Sequence, residues 1–282
     1  MKIRSQKQKH VGAKIAIHAV LVLFAVVTLI PFYWMLVNSL KATGDFYTAM
    51  KTLFPERPVF ENYVKIFTQI DFAKWFFNSI VVSVASTALG VIICSMAGFA
   101  FGVYQFRFKN LFFWMVLCSV AIPEIVTIIP IFKMMANLKM IDTYASLVLP
   151  YAVSMFGIFL MKQYIESSLP KELLEAARID GLSEWSIYMK IALPLIKPGL
   201  GVLAIFLWLN SWSSYFWPLI MLKSREMMTI PLGLATLYSD PWNLEYGMLM
   251  AGSVISTLPI ILIFLFAQEQ FISGLTTGSV KG

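Results

Sequence analysis

Few side chains capable of chemistry occur inside the long apolar stretches of this chain, so those few are where a function is first sought. Glu124 is the acidic side chain that interrupts one such stretch, directly after Pro123. A carboxylate at the centre of a bilayer costs on the order of 3 kcal/mol on insertion scales, so it is expected to face a cavity or a partner. The proline before it predicts a kink that opens a polar pocket. Two readings follow: Glu124 lines a substrate path or bonds across a subunit interface, or it snorkels near a helix end. Further on, Asn210, Trp212, Tyr215 and Trp217 share one apolar stretch. Aromatic faces with an amide edge can hold a sugar, while Trp and Tyr also form the belts found at membrane interfaces. The belt is the reading for Trp217, beside Pro218.

Other chemistry lacks its residues. His10 and His18 have no companions at metal-ligand spacing, so no metal site is expected. Cys94 and Cys118 both fall in apolar stretches and read as small buried hydrophobes. Ile272-Ser273-Gly274 is a faint echo of an ATPase signature, but no G-x-x-x-x-G-K-[ST] loop occurs, so the chain itself is not expected to bind ATP. No catalytic constellation is visible, and the chain is read as no enzyme.

The elements that position these residues follow from composition. Of 282 residues, 59% are hydrophobic and 13% charged, with a mean hydropathy of +0.76. Soluble domains carry about 25% charged residues, so this chain belongs to the membrane class. Its net charge of +7 does not point to nucleic acid, because the basic residues lie in short runs between apolar spans, where they anchor and orient the chain at an anionic surface. Apolar stretches run over 15–40, 75–106, 109–133, 143–161, 198–222 and 246–268. Each suffices to cross about 30 Å of hydrocarbon. An all-α, polytopic fold with six transmembrane helices is therefore expected. The domain reading is a basic cytoplasmic tail, 1–14, and a single transmembrane domain, 15–282. Both termini are placed in the cytoplasm, with an external loop at 41–74 and a cytoplasmic loop at 162–197. Lys133 and Lys139 run against that orientation. Gly98-x-x-x-Gly102 and Ser86-x-x-x-Gly90 in the second span predict close helix packing.

The cytoplasmic loop is the most informative segment. Pro170 stands where proline opens a helix, Ser168 is a nearby cap, and Glu172 and Glu175 favour the positive end of the dipole. Leu173, Ala176 and Ala177 give a narrow apolar face, and Gly181 ends the helix in the left-handed region. Ser183 caps a second helix whose apolar side is Trp185, Tyr188, Met189 and Leu193, stopped by Pro194 and Pro198. This predicts a helix-turn-helix knob with a small tip, suited to a groove on another protein or to rest on the membrane surface.

Glu175-Ala176-Ala177, Asp180-Gly181 and Ile191-Ala192-Leu193-Pro194 together resemble the EAA loop of binding-protein-dependent ABC importer permeases. Glu61-Asn62-Tyr63, Asn78-Ser79, Gly98-Phe99-Ala100-Phe101, Pro123, Pro130, Leu149-Pro150 and the tail Gly274 to Gly282 are similar to the carbohydrate-uptake branch, in particular its maltose-type second permease subunit. Trp212-Ser213-Ser214 departs from the pattern, since many relatives carry Asn and then an acidic residue after the Trp. The resemblance implies that Glu175, Ala176, Ala177, Asp180, Gly181 and Pro194 form an ATPase-coupling site. It also implies a second permease subunit, two ATPase subunits that hold ATP and Mg, an extracytoplasmic sugar-binding protein, and a bacterial or archaeal inner membrane as the setting. The candidate substrate path is Glu124, Asn210, Trp212 and Tyr215. Importers of phosphate esters or peptides share the coupling motif. An ATP-independent secondary transporter would need paired intramembrane ionisable residues or inverted repeats, and neither is seen.

Overall fold

The structure, a computed structural model, describes residues 2–42, 53–55, 57–238 and 245–276, with side chains from Lys14 to Phe266 and Gln268 within those limits. Parts of the predicted external loop, the side chains of 1–13 in the basic tail and the Thr277–Gly282 end of the tail motif lie outside the described residues. Among the described residues there are helices and turns and no strand. This is the expected result for a chain whose backbone groups must be satisfied within hydrocarbon.

Helix α1 covers Lys2–Ser39, and its apolar portion, Lys14–Ser39, is long enough to cross a bilayer. A short amphipathic helix, α2, follows at Glu61–Thr68. The second span is α3, Phe72–Val103. The predicted third span is broken: α4, Lys109–Val120, meets α5, Glu124–Asn137, at a bend of 104°. Pro123 causes the break, for it sits extended at the N-cap of α5 (φ −59°, ψ 131°) and has no N–H to continue the ladder. Alone, the two halves are about 18 and 21 Å long and neither crosses the hydrocarbon.

The fourth span, Tyr144–Ser168, comprises α6, Tyr144–Val148, a 3₁₀ turn and α7, Met155–Ser168. Two helices of the coupling region follow, α8, Lys171–Ile179, and α9, Glu184–Leu195. The fifth span, expected to run unbroken over 198–222, is shorter. Helix α10, Lys197–Trp212, ends at a turn over Ser213–Tyr215, and α11, Phe216–Met221, begins afresh. Pro218 cannot donate to the carbonyl of Ser214, which explains why α10 does not run on. Helices α9 and α10 meet at 81°. Helix α12, Ile230–Thr236, precedes the last span, α13, Tyr246–Thr276. Among the described residues four segments are long and apolar enough to cross a membrane, and six are counted when each bent pair is one crossing.

The chain divides into two compact units, Met1–Ile70 with Leu237–Thr257, and Asp71–Thr236 with Leu258–Gly282. In the first, Asn62 is fully buried and its amide donates to the carbonyls of Ser39 (2.9 Å) and Lys41 (2.8 Å). The Tyr63 hydroxyl meets Ser39 Oγ at 2.7 Å, so Glu61-Asn62-Tyr63 holds the end of α1. The large apolar side chains of α1 from Ile15 to Ile30 are exposed, a surface that requires lipid or a partner.

In the second unit α3 is the hub. A Cβ added at Gly98 would meet Met161 Cβ at 2.6 Å and the backbone nitrogen of Lys162 at 2.9 Å, so α3 and α7 touch at backbone distance. The small-residue stripe is therefore intramembrane packing, as its spacing suggested. Asn78 and Ser79 tie down the segment before α12: the Asn78 amide donates to the carbonyls of Glu226 (2.8 Å) and Met228 (2.9 Å), and Ser79 Oγ accepts from Ile230 N–H (2.8 Å). Cys94 is buried, but Cys118 lies exposed on α4, contrary to the buried role expected of both.

Candidate functional site

The loop after α7 folds as two helices with a defined turn between them. Pro170 occupies the N-cap of α8 rather than its first turn, in an extended conformation, and no side chain caps this end. The C-terminal end is closed twice. Gly181 N–H donates to the Arg178 carbonyl and Leu182 N–H to the Ala177 carbonyl, both at 3.0 Å, with Gly181 at φ +78°. This is the Schellman arrangement, which needs a residue able to adopt the left-handed region. Nothing lies within 4 Å of a Cβ added at Gly181, so its conformational freedom matters here and its small size does not. Ser183 then caps α9, its hydroxyl accepting from Ser186 N–H at 3.3 Å.

The faces differ from those expected. Leu174 and Ala177 point into the core, while Glu172, Glu175, Ala176 and Ile179 face outward, Ile179 being 86% exposed. On α9, Ile187, Tyr188 and Ala192 are buried whereas Trp185 and Met189 are exposed. A π-turn at Tyr188–Ala192 produces this rotation, with Leu193 N–H bonded to the Tyr188 carbonyl. Pro194 does not stop the helix as predicted. It follows the π-turn and its missing N–H falls where the ladder is already displaced; the break comes at Ile196 (φ −90°, ψ 6°).

The hairpin is rooted in the spans. Leu174, Ala177, Ile187, Tyr188 and Ala192 belong to one buried cluster with Cys94 and Phe99 of α3, Met161 and Ile165 of α7, and Leu203 of α10. Two polar links reinforce it. The Tyr188 hydroxyl meets Ser95 Oγ of α3 at 2.7 Å in the interior. At the surface, Glu184 takes both ends of a strap: Arg178 Nε donates to Oε1 at 2.7 Å and Nη2 to Oε2 at 3.3 Å, while the Tyr104 hydroxyl donates to Oε2 at 2.8 Å. Arg178 holds the Glu184 carboxyl below the usual carboxylate range, helped by the Tyr104 hydroxyl. Burial, and then the adjacent Glu184 charge, push the Tyr104 phenol up to about 12.

A second feature is an open cavity of about 540 Å³ bordered by Glu124, Tyr151, Phe206, Leu209, Asn210, Ser213, Ser214, Tyr215, Phe216 and Trp217. Glu124 comes together there with Asn210 and Tyr215, which lie far from it in sequence. Trp212 does not join them. It is 3% exposed, stacks on Trp208 (centroids 5.6 Å apart, planes 12° apart) and meets the ring of Phe76 edge-on. Its face on α10 turns inward, so it is a core residue. Trp217 is also buried, with Nε1–H donating to the Ser146 carbonyl at 2.8 Å, rather than lying in an interfacial belt. Tyr151 and Ser214, whose hydroxyls meet at 2.7 Å, were missed. The signal available for Ser213 and Ser214 was the departure from the family pattern, where two serines sit at the helix break.

A family model described as "Binding-protein-dependent transport system inner membrane component" matches residues 90–276, which span the hairpin and the cavity. The chain belongs to this family. Its relatives include the arabinooligosaccharides transport system permease protein AraQ of Bacillus subtilis, 40% identical, with 95% of this chain and 96% of that protein covered. The lactose transport system permease protein LacG of Rhizobium radiobacter is 32% identical, with 94% and 95% covered. The fold is shared with a bacterial ABC transporter involved in the import of the acidic polysaccharide alginate. That structure matches with a TM-score of 0.78 at 22% identity, covering 90% of this chain and 95% of that one. As a permease of this family the chain is a multi-span inner-membrane component of a transport system that works with a binding protein, and it is not an enzyme. Among the described residues no group of three or more His, Cys, Asp or Glu side chains could hold a metal ion.

Proposed function

We propose that this permease translocates a sugar or oligosaccharide, delivered by an external binding protein, and that separate ATPase subunits drive it through the α8–α9 hairpin. The observation that carries this reading is that the hairpin shares one buried cluster with three spans. A force applied to its outer face is thereby delivered to α3, α7 and α10 together, because close-packed interiors transmit strain rather than absorb it. Glu175, Ala176 and Asp180 form the surface offered to an ATPase groove, with Ile179 as the apolar anchor. Ala177, Gly181 and Pro194 act indirectly by shaping and rooting the hairpin. ATP and Mg belong to the partner subunits. A second, non-identical permease completes the pathway.

The names of the arabinooligosaccharide and lactose relatives support sugar as the cargo. The cavity supports it chemically, since Glu124, Asn210, Tyr151, Ser214 and Tyr215 offer acceptors, donors and aromatic edges in one place. Residues 15–282 work as one translocation domain, with both termini and the 162–197 loop in the cytoplasm and the 41–74 loop outside. Proline at position 181 cannot reach φ +78°. Gly181→Pro is expected to insert normally and to assemble with the second permease, yet to abolish ATP-driven uptake and ATPase stimulation by loaded binding protein. Normal uptake by that variant would remove the hairpin from the coupling path.

A further inference from the structure

The cavity's charge says more about its cargo than its shape does. Among the residues bordering it, Glu124 carries the single formal charge, and no Lys or Arg faces it there. The other polar groups are neutral. Tyr151 and Ser214 join hydroxyls at 2.7 Å, and the Asn210 amide donates to the Phe206 carbonyl at 2.8 Å. Hydroxyls and amides exchange hydrogen bonds with sugar hydroxyls in either direction. A carboxylate accepts only, so it favours a ligand rich in donors.

From this we infer that Glu124 is a charge filter: the cavity admits uncharged oligosaccharides and turns away sugars that carry a carboxylate or phosphate. The inference rests on the reading of this cavity as the substrate path, and adds the class of sugar that can use it. At about 6 Å and an effective dielectric near 20, a single like charge disfavours a ligand by roughly a hundredfold, and by less where water enters. At least a tenfold discrimination is therefore expected of an open cavity. Because Glu124 begins α5 at an exposed position, its amide isostere is compatible with the helix.

The test uses the assembled importer in nanodiscs, without binding protein, so that the permease's own preference is read. Saturation-transfer NMR would compare maltotriose with trigalacturonate, a neutral and an anionic trisaccharide, on wild type, Glu124→Gln and Glu124→Lys. The expected result is transfer to maltotriose and little to trigalacturonate in wild type. The ratio of anionic to neutral response should then rise at least tenfold in Glu124→Gln and further in Glu124→Lys. Maltotriose binding that is sensitive to Asn210→Ala, with a trigalacturonate ratio unchanged by either Glu124 variant, overturns the filter and leaves the cavity's assignment standing. Absence of transfer to both sugars, or transfer indifferent to Asn210→Ala, overturns the cavity's assignment and the filter with it. A matching elution profile for each assembled variant separates these outcomes from misfolding.

Discussion

Glu184 is the residue on which the hairpin's outer strap turns, because one carboxylate serves both Arg178 of α8 and Tyr104 at the end of α3. The Arg178 pair is exposed and on its own contributes little, as surface pairs do. Its bidentate geometry and the third bond from Tyr104 give it direction rather than large stability. Glu184→Gln should therefore leave the thermal midpoint within a few degrees while lowering the ATPase stimulation that accompanies transport by several-fold. A stimulation equal to wild type at equal assembly would show the strap to be ornamental. The pH dependence follows from the two shifts. Glu184 is depressed in the folded chain, so its contribution is complete above the unfolded carboxylate range and is lost as pH falls through the folded value. Tyr104 is raised, so its contribution holds below the usual 10.0 and is lost as pH rises toward about 12. Between these limits coupling should be flat with pH. A step near neutrality that Glu184→Gln removes would contradict this.

Helices α3 and α7 show what can be read at the scale of elements. The Gly98-x-x-x-Gly102 spacing announced a close crossing before any partner was known, and the structure supplies Met161 and Lys162 as that partner. Gly98→Ala places a methyl 2.6 Å from the Met161 Cβ and 2.9 Å from backbone that cannot rotate away. Overpacking of this kind costs about 1–3 kcal/mol, so the melting temperature of the purified permease should fall measurably, and Gly98→Leu should fail to assemble. An unshifted melt for Gly98→Ala would mean that the two helices do not meet there. The hairpin was legible for the same reason: its signals are local, a proline, a capping serine and a glycine at fixed offsets. Its buried face was misread at Leu173 and Met189, because the inward direction depends on α3 and on a π-turn that no local propensity reports. The span breaks at Pro123 and Ser213 were half visible. Proline marks where a helix weakens, but whether it bends slightly or turns through 104° is set by what packs on either side. Trp212 could not be placed by type alone, for an aromatic on α10 serves core and cavity equally well until the helix's rotation is known.

At the scale of the whole molecule, the hairpin's position on one side of the membrane and its use as a docking surface can be tested together through Ile179. This side chain is 86% exposed at the last position of α8, beside a turn fixed by Gly181. A large apolar side chain held out from a rigid turn is the kind of anchor that a partner's groove buries. Cys118 is exposed and would confuse labelling, while Cys94 is buried and its thiol donates to the Ser154 carbonyl. The background should therefore be Cys118→Ser with Cys94 retained, and Ile179→Cys added to it. A membrane-impermeant maleimide is expected to modify this cysteine in inside-out vesicles and to spare it in intact cells. Lys139→Cys, in the turn between α5 and α6, should show the opposite pattern. Co-expression of the ATPase subunits should then protect position 179 by at least tenfold, and leave position 139 as reactive as before. Labelling of position 179 from outside would invert the proposed topology. Labelling from the cytoplasm that ATPase subunits do not diminish would keep the topology but take the docking face away from α8.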